Sequence, residues 1–234
     1  MTNEIAEDLP EVHLADVKQE LEPVKGMSVW ARMRLSYRDM RGATRTLIEE
    51  NPSEARLLFF VLLSDVIFFL SFGVRLIVSP SAVVEQALPV PAQLGVLLIG
   101  ALFLRTATMY IFAGLVCLTG RAFGGRGGVK AVRAAVFWAS LVSAPVGVLG
   151  AMISAGFAHL EPSMPILGNA LFAWPPVLIG ILAFVVFLAA GTAEAHRFTK
   201  TTPVLAVYAV ITLVLLLAAL LFGADLMAAL GLSQ

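Results

Sequence analysis

Residues 57–78 read LLFFVLLSDVIFFLSFGVRLIV, from Leu57 to Val78, and only Asp65 and Arg75 among them carry charge. At about 1.5 Å of rise per residue, such a run is long enough as an α-helix to cross the roughly 30 Å hydrocarbon layer of a bilayer. The same reading applies to four further runs: about 94–119 (with the single charge Arg105 inside it), 134–157, 175–190, and from Pro203 to about Phe222. The chain is 59% hydrophobic and 14% charged, against roughly 25% charged residues in soluble domains. Composition and periodicity together predict an all-α, five-span membrane bundle over 52–222.

The flanks divide differently. Residues 1–27 carry Glu4, Glu7, Asp8, Glu11, Asp16, Glu20 and Glu22 against Lys18 and Lys25, and this predicts a disordered acidic tail without a removable signal peptide. Between 28 and 50, Trp30, Met33, Tyr37, Met40, Ala43 and Leu47 recur at helical spacing. Arg32, Arg34, Arg38, Arg41 and Arg45 take the other faces. The pattern predicts one amphipathic helix on the membrane surface, with Trp30, Tyr37 and the five arginines at the lipid interface. Asn51, Pro52 and Glu54 mark the start of the first span. Residues 223–234 form a short tail.

Basic residues set the orientation. They precede the first span, sit between the second and third (Arg121, Arg126, Lys130, Arg133) and follow the fourth (Arg197, Lys200). The segments 79–93, 159–174 and 223–234 contain no lysine or arginine. This alternation predicts a cytoplasmic amino terminus and a carboxyl terminus on the other side.

Asp65 and Arg105 are the ionisable residues deep in spans. Their depths allow a long arginine side chain to reach the carboxylate, as a structural ion pair or as a relay for a proton or solute. Arg75 can snorkel to the interface, with Glu85 as its rim partner. The loop from Gly120 to Lys130, with Arg121, Gly124, Gly125 and Arg126, reads either as an anion-binding turn or as a flexible hinge near anionic lipid; it lacks phosphate-loop spacing. Glu194 and His196 resemble half of an acid/base or metal site, but two residues two apart point to different sides of a helix.

No nucleophile elbow, His-Glu-x-x-His spacing or carboxylate pair at membrane depth is present, so no enzymatic activity is expected. Cys117, the single cysteine, excludes an intrachain disulfide and a thiolate cage. Gly147, Gly150, Ala151 and Ser154 in the third span, and Gly95 and Gly100 in the second, predict close helix contacts. Pro145 predicts a kink, and Pro175-Pro176 a bend or a helix start.

The segment Gly124-Gly-Arg-Gly-Gly-Val-Lys130, followed by Ala139, Ser140 and Pro145, resembles the Yip family of membrane proteins, named for Ypt/Rab-interacting proteins. The turn Gly191-Thr-Ala-Glu-Ala-His-Arg-Phe198 is similar to that family's short polar turn before the last span. The resemblance covers about 32–222 and implies five spans and a cytoplasmic amino terminus. In eukaryotic members it further implies vesicle trafficking through small-GTPase contacts. Arginine and alanine richness without an Asn-x-Ser/Thr sequon points instead to a bacterial protein of the inner membrane. The expected function is a non-enzymatic scaffold or accessory protein binding other membrane proteins or organising lipid. The alternatives are a small transporter or channel subunit using Asp65 and Arg105, and a lipid-modifying enzyme using Glu194 and His196. Expected partners are membrane lipids, integral membrane proteins and a second copy of the chain, with no nucleic acid and no cofactor.

Overall fold

A computed structural model describes residues 27–78 and 89–229. Two short helices, α1 (Val29–Ser36) and α2 (Met40–Glu49), lead into α3 (Glu54–Val78). The second span is built from α4 (Val90–Ile99), a π-helical segment (Gly100–Arg105) and α5 (Thr106–Ala122). There follow α6 (Val129–Leu160), a 3-10 turn (Pro165–Gly168), α7 (Ala170–Ala195) and α8 (Thr202–Ala229). Five helical stretches are long and apolar enough to cross a membrane, and the described residues contain no strand.

The third span is the hub. Residues 134–143 of α6 are all buried, because their neighbours cover every side: Leu57, Phe60 and Val61 from α3, Val116 and Cys117 from α5, and Leu188 from α7. Small side chains allow the close approach that lipid-embedded helices need. A Cβ added to Gly150 would lie on the Pro176 carbonyl of α7, and one on Gly180 would stand 3.1 Å from the Gly147 Cα. Gly95 and Gly100 do not share this role: a Cβ on either meets nothing within 4 Å.

The stretch 28–50 departs from the single surface helix expected. Asp39 ends the first piece and caps the second, its carboxylate accepting from the Gly42 N–H at 2.9 Å. A side-chain oxygen that satisfies a first-turn donor favours a new helix start over continuation. Met33, Met40, Ala43 and Leu47 do form one apolar face, but it is buried against protein. The Trp138 indole N–H donates to Ser36 Oγ at 2.9 Å, and the Tyr37 hydroxyl to the Val142 carbonyl at 2.8 Å. Periodicity finds the face but does not say what covers it.

Both proline sites lie inside helices. α6 continues through Pro145 to Leu160, and α7 begins at Ala170, ahead of Pro175 and Pro176.

Candidate functional site

Two polar clusters are built into this bundle. The first lies deep between α3, α6 and the end of the π segment. A π turn takes in an extra residue and so rotates the helix face beyond it. Here it ends at Arg105, and Arg105 and Thr106 both reach the Asp65 carboxylate. Asp65 is completely buried. The Arg105 guanidinium also donates to Ser64 Oγ at 3.0 Å and Ser140 Oγ at 3.1 Å, and those two hydroxyls lie 3.0 Å apart. Its Cζ stands 5.1 Å from the centre of the Phe68 ring. Removing one partner of such a buried, hydrogen-bonded pair would leave an uncompensated charge. The sequence signalled the two charges; the three hydroxyls that complete the cluster carried no signal of their own. A cavity of about 470 Å³ opens beside Arg105 between α3, α6 and α7.

The second cluster occupies the end of the bundle that carries the basic segments. Glu194, near the end of α7, accepts from Arg41 Nε at 3.0 Å and Arg45 Nε at 2.7 Å. Arg41 also donates to the Phe198 and Thr199 carbonyls, a cation placed where a helix carboxyl end is electronegative. Glu50 accepts from buried Arg32 and pairs with the Arg56 charge at 2.8 Å. Lys130 reaches Asn51 at 2.7 Å, and Arg133 reaches Glu54 at 2.8 Å.

Arg32 therefore lies fully inside the fold, and Arg41 and Arg45 strap α2 to α7. Of the residues expected at the lipid interface, Trp30, Arg34, Tyr37, Arg38 and Arg45 keep exposed positions. The side chain of Arg75, and Glu85, lie outside the described residues.

The glycine loop closes over His196. The Gly127 N–H donates to His196 Nδ1 at 3.2 Å, and the Arg126 N–H to the His196 carbonyl at 3.2 Å. A Cβ at Gly120 would fall on the imidazole, and one at Gly127 would lie 2.8 Å from Nδ1. Gly124, at φ +83, takes the left-handed conformation that glycine adopts without strain. Arg121 holds the Gly127 carbonyl at 3.4 Å. Gly120, Gly127 and Gly125, whose Cβ would stand 2.5 Å from Nδ1, are thus the space the ring requires, which spacing alone does not reveal.

Burial pushes the His196 imidazole below its ordinary value. The Val116 carbonyl pulls it up and the Arg121 charge pushes it down. The bond to Nδ1 assigns the proton of the neutral ring to Nε2. Glu194 and His196 face different neighbours, so they do not form the acid/base pair that a lipid-modifying enzyme would need. Among the described residues no group of His, Cys, Asp or Glu is placed to hold a metal ion.

A family model described as the Yip1 domain matches residues 36–223. The chain belongs to the Yip1-domain family. No curated protein and no solved structure matches it. The match spans both polar clusters apart from Arg32 and, together with the five apolar helices, makes this Yip1-domain protein an integral membrane protein.

Proposed function

We propose that this Yip1-domain protein is a non-enzymatic accessory protein that binds other integral membrane proteins. In this reading it lies in a bacterial inner membrane with its amino terminus in the cytoplasm. Family membership supports a membrane role, and one observation supports partner binding. The most apolar stretch of the fifth span, Thr202–Phe222, has no buried residue, whereas half of the most apolar stretch of α6 is buried. α8 touches the bundle chiefly through α7, where the Tyr208 hydroxyl meets Thr192 at 3.3 Å. The rest of the helix presents an apolar surface for lipid or for another helix.

Photoreactive amino acids at Leu213, Leu217 and Leu220, one face of α8, and at Ile211, Leu215 and Phe222 on the opposite one, all exposed, test the reading in cells. The expected result is protein adducts of defined mass from one face alone; adducts at the mass of two chains would identify the partner as a second copy. Lipid labelling alone from every position would overturn the proposal.

The cavity beside Arg105 favours one second reading, a small transporter or channel subunit. The substitutions at Asp65 and Arg105 described in the Discussion separate the two.

A further inference from the structure

The cavity beside Arg105 extends well beyond the ion pair. Ser140, Ala144, Gly147, Ala151 and Ser154 of α6 all line it, a single stripe at helical spacing. From Ser140 to Ser154 the helix rises about 21 Å. A volume of about 470 Å³ spread over that length is a slot rather than a chamber, and it lies within the range of roughly 300–1,000 Å³ found for ligand sites. Phe68 and Phe72 of α3 and Ile181 and Phe184 of α7 wall it. A narrow apolar slot of this length suits one extended alkyl chain.

The polar groups are not spent on the protein alone. A guanidinium has five N–H donors; Ser64, Asp65 and Ser140 take three from Arg105, and the side chain remains 23% exposed where it lines the slot. At the far end, Ser154 is only 8% exposed, and its hydroxyl has no partner among the described residues. Ser154 lines the slot, where its hydroxyl can bond an occupant. Asp65 already neutralises Arg105, so an anionic ligand would bring an unpaired charge to membrane depth, at high cost. A neutral oxygen acceptor brings none.

We propose that the slot between α3, α6 and α7 binds a neutral lipid with one long alkyl chain and a carbonyl oxygen. The carbonyl accepts from Arg105, and the chain runs along the small-residue stripe of α6 toward Ser154. This site is independent of the partner surface on α8, and either can fail without the other.

The test uses the full chain purified in detergent and three photoreactive probes of equal chain length: a methyl ketone, a plain alkane and a fatty-acid anion. The ketone is expected to label residues facing the slot about tenfold more than the alkane, the discrimination one added hydrogen bond to a charged donor gives. Gly147→Leu fills the slot, and a Cβ at Gly147 meets nothing within 4 Å. It should cut ketone labelling about tenfold, the loss expected when a site is plugged. Arg105→Lys keeps the charge opposite Asp65 and should bring ketone and alkane labelling level. Ketone and alkane labelling the parent protein equally would overturn the proposal. So would fatty-acid labelling above ketone, or labelling indifferent to Gly147→Leu. Should Gly147→Leu unfold, the probe ratio and the mapped positions in the parent protein still decide.

Discussion

At the scale of single residues, the cluster around Asp65 is over-determined. Arg105 and Thr106 each hold one oxygen of the carboxylate, and Arg105 is itself held by two hydrogen-bonded serines. The structural reading predicts a specific non-additivity. Asp65→Ala or Arg105→Ala alone strands a buried charge and is expected to cost about 3–5 kcal/mol. Asp65→Leu with Arg105→Leu removes both charges, and the three hydroxyls can turn to carbonyls one helical turn back. Thermal unfolding in detergent should therefore show each single variant well below the parent and the double variant close to it. A stable double variant that has lost solute-dependent or proton-dependent flux would favour transport instead. Single variants as stable as the parent would show that the pair does not hold these helices together.

At the scale of elements, the sequence was legible wherever hydropathy alone decides and opaque wherever one particular contact does. All five spans are readable because the cost of leaving polar backbone in lipid forces long apolar helices, and their extents differ from expectation mainly by terminal turns. The break at Asp39 was not readable: it depends on a cap and on a core that turns an apolar face inward. Nor was the π segment, whose visible consequence is that Arg105 and Thr106 meet Asp65. The glycine loop was noticed for its composition and read as a turn or hinge; what it does is wrap His196.

That wrapping predicts a pH dependence. Burial lowers the His196 pKa, so the unfolded chain binds its proton more readily than the folded one. The stability this site contributes is complete above the ordinary histidine pKa of about 6.5. It falls as the pH drops from there to the lowered folded value. A proton on Nδ1 would also face the Gly127 N–H instead of accepting from it, with the Arg121 charge nearby. His196→Asn keeps an acceptor but no titrating group. Melting temperatures from pH 8 to pH 5 should fall more steeply for the parent than for this variant; parallel curves would show that His196 does not titrate on unfolding.

At the scale of the whole molecule, the distribution of charge agrees with the packing in a way loop counting could not establish. The basic residues before the first span, between the second and third, and after the fourth belong to three segments far apart in sequence. The structure joins them physically, through Arg41 and Arg45 with Glu194, Lys130 with Asn51, and the Arg126 amide with the His196 carbonyl. They form one end of one bundle, so they must lie on the same side of the membrane. Retention of lysine and arginine on the cytoplasmic side then predicts that this end faces the cytoplasm. Cys117 is the sole cysteine and is buried, so Cys117→Ser supplies a background without thiols. Gly128→Cys introduces a thiol where a Cβ meets nothing within 4 Å, at the basic end; Ser163→Cys introduces an exposed one at the other. In intact cells an impermeant maleimide should label Ser163→Cys and should reach Gly128→Cys only after the membrane is opened. A phosphatase fused after Gly223 should be active for the same reason. The reverse labelling pattern would invert the bundle and place the Arg41–Glu194 strap outside the cell. Labelling of both sites in intact cells would mean that the two ends do not lie on opposite sides, and that the five-span crossing is wrong.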